Sequence, residues 1–193
     1  MKIIDITREI KSAPIYPGSD PVKVEKLTEM EKGDLFTCSL ITVGSHMGTH
    51  ADAFAHFIMG GKTIEKMELD HYYGKCVVVT TPEDMPVYKK DLEGKIEGYE
   101  RIVLHTGKGY LTKEAAQYLV EAGVKTVVTD YWSIAPLDNE KEIHEIILGN
   151  GVAAVESVVL DGVEDGEYIL SAFPIKIEGC DGGFVRAVLI KEK

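Results

Sequence analysis

Short runs of aliphatic and β-branched residues recur along the chain, and most of them stop at a glycine or a polar cluster. Runs of this composition, bounded by turn residues, are typical of β-strands. They predict strands over residues 2–7, 22–30, 35–43, 75–80, 101–107, 124–130 and 152–160. Two alternating segments near the end, 167–178 and 184–191, predict an antiparallel hairpin that turns at 179–183.

Two other segments carry the apolar spacing and the end signals of α-helices. The first covers 113–122 and has Thr112 as a suitable N-cap. The second begins at Asp138 or Asn139 and runs through Leu148. Loops or irregular connectors are predicted at 12–21, 63–73 and 82–95. Strands mixed with two helices favour a mixed α/β fold, and 193 residues fit a single domain covering 1–193.

Composition narrows the classes of partner. The net charge of −11 argues against nucleic acid or an anionic membrane as a partner, because phosphate groups would be repelled. No apolar run approaches twenty residues, and Asp5 interrupts any signal-peptide core. Three widely spaced cysteines do not form a disulfide framework. These features predict a cytoplasmic protein, but they do not argue for any particular substrate.

The densest chemistry lies between Ser45 and His56, where three of the six histidines and one aspartate occur within a dozen residues. A straight strand rises about 3.3 Å per residue and would separate His46 from His56 by roughly 33 Å. The segment must therefore coil if both histidines are to share one metal. The four-residue spacing of His46 and His50 fits one helical turn or a tight loop. Imidazole and carboxylate together suit zinc or manganese. The alternative is a polar loop whose histidines bind backbone groups.

Further candidates lie at the ends of predicted elements. Glu156 is the only charge in an apolar strand, so it needs hydrogen bonds or a cation, either from a salt bridge or from a metal. His144 lies at the edge of the apolar face of the second helix. His105 ends a strand, where it either faces the site or binds a backbone carbonyl, and Asp130 ends the next strand.

The segment His46-x-Gly48-Thr49-His50-x-Asp52-x-x-x-His56 resembles the His-x-Gly-Thr-His-x-Asp-x-Pro-x-His signature of the cyclase family, with Phe54 in place of the proline. That family includes bacterial kynurenine formamidases and isatin hydrolase-like enzymes. The resemblance also covers Asp5-Ile6-Thr7, Tyr16-Pro17-Gly18, Thr106-Gly107, Asp130 with Ser133, His144 with Glu156, and the segment 178–187.

The resemblance implies a swivelling β/β/α fold and a site for two divalent metals, zinc or alternatively manganese. The first metal would be bound by His46, His50 and Asp52. The second would share Asp52 and add His144 and Glu156, which are separated by the same twelve residues as in the family. The resemblance also implies a homo-oligomer, a dimer or a tetramer.

The implied activity is hydrolysis of an amide or formamide bond by metal-activated hydroxide. His56, which is not needed as a ligand, would act as the proton shuttle to the leaving amine. Tyr16, Phe54, His105 and Trp132 are candidates for substrate contact, although core packing is an alternative role for each aromatic residue. An arylformamidase is the leading activity. A cyclic-amide hydrolase and a metal-binding protein without turnover are the alternatives.

Overall fold

The computed structural model describes residues 1–191, which contain eleven β-strands and three α-helices. The strands are β1 Lys2–Asp5, β2 Lys23–Thr28, β3 Cys38–Thr42, β4 His50–Asp52, β5 Tyr73–Thr80, β6 Arg101–His105, β7 Thr126–Thr129, β8 Ala153–Glu156, β9 Gly166–Ser171, β10 Gly182–Phe184 and β11 Val188–Lys191. The helices are α1 Lys89–Leu92, α2 Lys113–Glu121 and α3 Glu140–Gly149. Short 3-10 helices occur at Met30–Lys32, Phe54–His56, Ile64–Lys66 and Leu69–His71.

Nine strands form one sheet in the order β1-β11-β9-β5-β6-β7-β8-β4-β10. Strands β5 to β8 run parallel to one another, and the remaining pairs are antiparallel. Thr7, just beyond one edge strand, forms a bridge with Val158, just beyond β8 near the other edge. The sheet is therefore curled, and the mixed α/β class predicted from the sequence is confirmed.

Each face of the sheet buries its own core. In β6, Val103 belongs to one core, whereas Ile102 and Leu104 belong to the other, because successive strand side chains point to opposite faces. The second core is covered by α2 and α3 through residues such as Leu119 and Ile147. As predicted, Thr112 caps α2, and its Oγ1 accepts a hydrogen bond from the Ala115 amide at 3.3 Å.

The predicted hairpin at the end of the chain is only partly correct. Strands β9 and β11 do pair antiparallel, with Val188 opposite Ser171. The chain between them does not form a simple turn, because β10 lies at the far edge of the sheet and pairs with β4. The segment 82–95, predicted as a loop, contains the short helix α1. Within residues 1–191, no helix is both long and apolar enough to cross a membrane.

Strands β2 and β3 form a separate two-stranded sheet that stands outside the main sheet. We call the segment 23–42 the arm. No side chain in β2 or β3 is buried. Large apolar side chains are nonetheless frequent along the arm and are exposed: Val24, Leu27, Met30, Leu35, Phe36, Leu40 and Ile41.

Candidate metal centre

The histidine-rich segment does not form the helical turn that was one of its two predicted conformations. A tight turn leads into β4, which carries His50 and Asp52, and a 3-10 helix then carries His56. Gly48 has φ +64° in that turn, and a Cβ atom there would lie 3.3 Å from the Ile10 backbone. The tight-loop alternative is therefore the one that the structure adopts.

Thr49 fixes this turn to two other parts of the chain. Its Oγ1 accepts a hydrogen bond from the Arg8 amide at 2.8 Å and donates one to the Ser157 carbonyl at 2.7 Å. The threonine is 3% exposed, so both bonds are shielded from water. The motif is thereby tied to the chain after β1 and to the end of β8.

Strand register brings the separate parts of the motif together. His50 in β4 lies directly opposite Glu156 in β8, and Asp52 lies two residues along the same strand. Because alternate strand residues share a face, the two carboxylates point to the same side. His144 reaches the same place from α3, with its Nε2 3.7 Å from Asp52 Oδ2 and 3.5 Å from Glu156 Oε1.

The tautomers of the two buried histidines follow from their hydrogen bonds. His50 Nδ1 lies 2.9 Å from the Gly48 carbonyl, and His144 Nδ1 lies 2.8 Å from the Glu140 carbonyl. Each Nδ1 must therefore donate its proton, since a carbonyl only accepts. This leaves the Nε2 lone pair of each neutral ring directed toward carboxylate oxygens, 3.4 Å away in the case of His50 and Glu156. A cation between these atoms would satisfy all of them.

Two buried atoms at this place have no hydrogen-bond partner among the described residues, namely His50 Nε2 and Asp52 Oδ2. Unpaired buried polar groups are costly and rare in folded proteins. His50, Asp52 and Glu156 each offer one ligand atom, and these atoms lie within 4.8 Å of one another. The donor set of nitrogen and carboxylate oxygen fits a divalent transition metal.

The electrostatics of the cluster also favour a bound positive charge. Burial lowers the pKa of His50, but the carboxylates of Asp52 and Glu156 outweigh burial and raise the pKa to about 10. Burial likewise opposes the charge on His144, whose pKa is raised to about 9, mainly by Glu156. Burial raises the pKa of the Asp52 carboxyl, but His46 and His50 outweigh it and hold that pKa well below its usual range.

A second group surrounds His46 on the more open side. His46 Nδ1 lies 2.9 Å from Asp52 Oδ1, and its Nε2 lies 3.1 Å from Asp181 Oδ2. The His56 ring stacks on the His46 ring at 3.9 Å, and ligand atoms of His46, Asp52 and His56 lie within 4.8 Å of one another. Asp52 is therefore common to two candidate ligand groups. His56 is close enough to be a ligand, so its assignment as a proton shuttle remains a prediction.

Asp181 and Phe57 belong to this site, but neither was identified from the sequence. Asp181 Oδ2 also lies 3.4 Å from His56 Nδ1, and Ser45 donates a hydrogen bond to its other oxygen at 3.0 Å. The Phe57 ring stacks on His144 at 4.2 Å. The sequence signals that could have pointed to them were an acidic residue directly before Gly182 and an aromatic residue next to His56.

A cavity of about 230 Å³ opens onto the cluster. Tyr16 and Trp132, both predicted as substrate contacts, line it and meet edge to face at 6.0 Å. Five more predicted site residues also line it: His46, His50, His56, His144 and Glu156. Asp52 lies beneath them and is fully buried.

Two predicted substrate contacts lie elsewhere. Phe54 does not line the cavity; it packs against both cores and meets His71 edge to face at 5.9 Å. His105 does not line the cavity either, and its Nε2 is 3.8 Å from Asp130 Oδ2. Asp130 accepts hydrogen bonds from Thr106 and Gly107, so it stabilises a turn. Neither residue lines this cavity, and contact of Phe54 or His105 with substrate stays a prediction.

The curled α/β sheet and its buried histidine–carboxylate cluster define a protein suited to binding divalent metal. The model of the Cyclase family matches residues 4–136, which is more than half of the chain. A kynurenine formamidase of Bacillus cereus is 32% identical over 200 residues, covering 96% of each chain. This chain therefore belongs to the cyclase family.

Solved structures agree with that assignment. A protein described as a predicted metal-dependent hydrolase from Bacillus stearothermophilus matches with a TM-score of 0.83 and 26% identity over 97% of each chain. An isatin hydrolase bound to the product analogue thioisatinate matches with a TM-score of 0.85, covering 100% of this chain and 93% of the other. At 18% identity, the second match shows that the fold is shared.

The close approach of β10 to His46 yields a first prediction. A Cβ atom at Gly182 would lie 2.7 Å from His46 Cε1. Gly182→Ala should therefore displace His46 and weaken zinc binding by roughly 10- to 100-fold, the usual effect of disturbing the support of a ligand. Zinc affinity can be measured by competition with a chromophoric chelator.

Gly44→Ala is the matched control, because a Cβ atom at Gly44 meets nothing within 4 Å and φ there is not positive. The control should bind zinc as the wild type does. Wild-type zinc affinity in Gly182→Ala would show that the position of His46 does not matter for metal binding.

Proposed function

We propose that this protein is a metal-dependent hydrolase that cleaves the amide or formamide bond of a small aromatic molecule. The observation that carries this proposal is the buried cluster in which His50 Nε2 and Asp52 Oδ2 have no hydrogen-bond partner within residues 1–191 and lie close to further ligand atoms. A chain 32% identical is a kynurenine formamidase, which supports an amide or formamide substrate here.

The residues that would hold the metals are His46, His50, Asp52, His144 and Glu156, with Asp52 shared between two ions. Zinc is the proposed metal, and manganese is the alternative. When bound, a divalent cation would polarise a carbonyl oxygen and lower the pKa of bound water to about 7. Four of these donors, all but His46, are fixed in advance, because β4, β8 and α3 hold them in place.

His56 is the proposed proton carrier. Its Nδ1 faces Asp181, so Nε2 is the atom left to exchange a proton with the reacting groups. Burial lowers the pKa of His56, which favours the neutral ring at neutral pH. A neutral ring can take a proton from the attacking water and pass it to the leaving nitrogen. Asp181 would hold the ring in the orientation that this transfer needs.

The cavity sets the size and kind of substrate. Its volume of about 230 Å³ lies below the roughly 300–1000 Å³ of sites for drug-sized ligands. Tyr16, Phe57 and Trp132 supply aromatic walls, which suit a planar aryl group. An N-formyl aryl amine, the kind of substrate a formamidase takes, is therefore proposed first. A cyclic aryl amide is the runner-up because an isatin hydrolase shares the fold.

Partner and location are proposed on simpler grounds. A net charge of −11 repels nucleic acid and anionic lipid, so we propose a small molecule as the partner. All three cysteines are free thiols, as is usual in reducing compartments, so we propose the cytoplasm as the location.

Hydrolysis of formanilide by zinc-loaded protein tests this function and separates the roles of the histidines. His56→Ala should retain its metal and lose about 10²- to 10⁴-fold in rate, the usual contribution of general acid–base catalysis. His50→Ala should lose metal and activity together. Zinc content is measured on the same samples by elemental analysis.

His105→Ala is the control, because this histidine lies outside the cavity. It should keep both zinc and rate. Loss of zinc in His56→Ala would make His56 a ligand rather than the proton carrier. Bound zinc without hydrolysis of formanilide or of a cyclic amide would indicate a metal-binding protein without turnover.

We also propose that the protein forms a homodimer through the arm. The described part of this chain leaves the apolar side chains of the arm exposed to solvent, whereas a second copy would bury them. Val24 and Ile41 lie directly opposite each other across the arm, and both are exposed. A tetramer is the alternative assembly.

Light scattering should give a mass near twice the 21.3 kDa of one chain. The double variant Val24→Glu with Ile41→Lys should be monomeric, because it removes apolar surface while the opposite charges preserve strand pairing. Leu69→Lys, at an exposed leucine outside the arm, should leave the mass unchanged. A monomeric wild type at micromolar concentration contradicts the proposal.

A further inference from the structure

The chain between β1 and β2 forms part of the wall of the metal cavity. We call residues 11–21 the strap. Its Tyr16 and Ser19 line the cavity of about 230 Å³ above the metal ligands. Ser19 also lines a second cavity, of about 400 Å³, at the base of the arm, and Pro14 lines a third, of about 440 Å³, beside Arg8. Any movement of the strap would therefore change all three spaces.

Few contacts attach the strap to the rest of the molecule. Within residues 1–191, no backbone–backbone hydrogen bond joins it to another part of the chain. The amides of Lys11 and Ser12 donate to the side chain of Glu9, just before the strap. Ala13 is buried and Tyr16 is half-buried, whereas the other strap residues are exposed. A segment with so few backbone bonds and buried contacts opens at low free-energy cost.

The tip of the strap is nevertheless a defined turn. The Ser19 amide donates to the Tyr16 carbonyl at 2.9 Å, and between them lie Pro17 and Gly18, which has φ +90°. Proline followed by a glycine with positive φ is the pattern of a type II turn. The three prolines of the strap restrict its backbone further. We therefore expect the strap to move as one piece that carries Tyr16 with it.

Tyr16 is the side chain through which the strap meets the metal cavity. Its ring meets Trp132 edge to face at 6.0 Å. Burial and a hydrogen bond with the Glu140 carboxylate raise the pKa of the Tyr16 phenol, which therefore stays protonated and acts as the donor. Hydrogen bonds to a charged acceptor are stronger than those between neutral groups. One aromatic contact and one charged hydrogen bond thus hold the strap in place.

Glu140 is a fixed anchor for this bond. It begins α3 and also lines the metal cavity. Its main-chain carbonyl lies 2.8 Å from Nδ1 of His144, one of the proposed metal ligands. The carboxylate that binds the strap therefore extends from the same helix that carries a metal ligand.

We propose that the strap is a lid over the metal cavity, and that Glu140 is the positioning residue that holds this lid closed through Tyr16. Metal ions and substrate would enter when Tyr16 leaves Glu140 and Trp132. The inference concerns access to the cavity, and it rests on the proposed function only for the identity of the molecules that enter.

Opening of the lid would also enlarge the site. Ser19 and His46 line both the metal cavity and the cavity at the base of the arm, so displacement of Ser19 would join the two spaces. A larger substrate could then enter than the closed cavity admits. In the closed form, the strap would shield the reacting bond from bulk water, as lids do in other enzymes.

Trypsin cleavage after Lys11, at the start of the strap, measures how often the lid is open. Cleavage of this kind follows the population of the open form when opening and closing are fast. In Glu140→Ala the rate of cleavage should rise roughly 10- to 100-fold, the usual contribution of a hydrogen bond to a charged group. Glu140→Gln should change the rate much less, because its amide oxygen still accepts from the phenol. The fragment 1–11 is followed by mass spectrometry.

Two controls separate the lid from general loosening. Glu142→Ala removes the other carboxylate of the first turn of α3, outside the cavity, and should leave cleavage after Lys11 unchanged. Cleavage after Lys32, in the arm, is an internal reference that should not change in any variant. Thermal unfolding verifies that each variant is folded. No acceleration in Glu140→Ala, or equal acceleration in Glu140→Gln, overturns the proposal.

Zinc exchange tests whether the lid controls entry to the metal ligands. A lid that must open for both entry and exit changes the two rates by one factor and leaves the affinity unchanged. Tyr16→Phe, which lacks the hydroxyl that bonds to Glu140, should therefore accelerate zinc association and release equally. Tyr118→Phe is the matched control, since it removes a phenol that donates to Glu97 at 2.8 Å, away from the cavity. Stopped-flow mixing with a fluorescent zinc indicator gives both rates.

Unchanged exchange rates in folded Tyr16→Phe contradict a lid over the metal ligands. If the wild type binds no zinc, the proposed function fails, and cleavage after Lys11 still decides whether Glu140 holds the strap closed. If zinc binds but formanilide is not hydrolysed, the proposed reaction fails while the exchange rates test the lid.

Discussion

The burial of two carboxylates on neighbouring strands is the constraint on which the rest of this structure depends. Asp52 is fully buried and Glu156 is 4% exposed, and strand register directs both to the same side. Removing two like charges from water costs several kcal/mol per ion unless opposite charge is supplied. His50 and His144 face them with unprotonated Nε2 atoms in their neutral forms, so only an added cation, either protons or metal, balances the group.

The curled sheet explains why this cluster can be assembled from distant parts of the chain. Strand β4 lies between β8 and β10, so the histidine motif receives Glu156 from one side and Asp181 from the other. Thr49 joins the same region to Arg8 and Ser157. The cavity above the metal ligands and the cavity beside Arg8 share Trp132 as a lining residue.

Local sequence patterns predicted most of the helices and strands. They did not predict which distant elements would be in contact. The N-cap at Thr112 and the strand around Val103 depend on nearby residues, so the sequence was sufficient for them. The hairpin prediction was only partly correct because β10 pairs with β4 at the far edge, and strand alternation does not reveal which edge a strand joins. Asp181 was missed for the same reason. Phe54 and His105 carried suitable chemistry, but packing and a turn direct them away from the cavity.

The most direct test of the central claim is the stoichiometry of zinc bound to chelator-treated protein, measured by titration calorimetry. Two ions per chain are expected for the wild type. Asp52→Asn should lose binding at both sites, because Asp52 is common to both ligand groups. Absence of zinc binding by folded wild-type protein would contradict the account, since the buried carboxylates would then be balanced by protonated histidines alone.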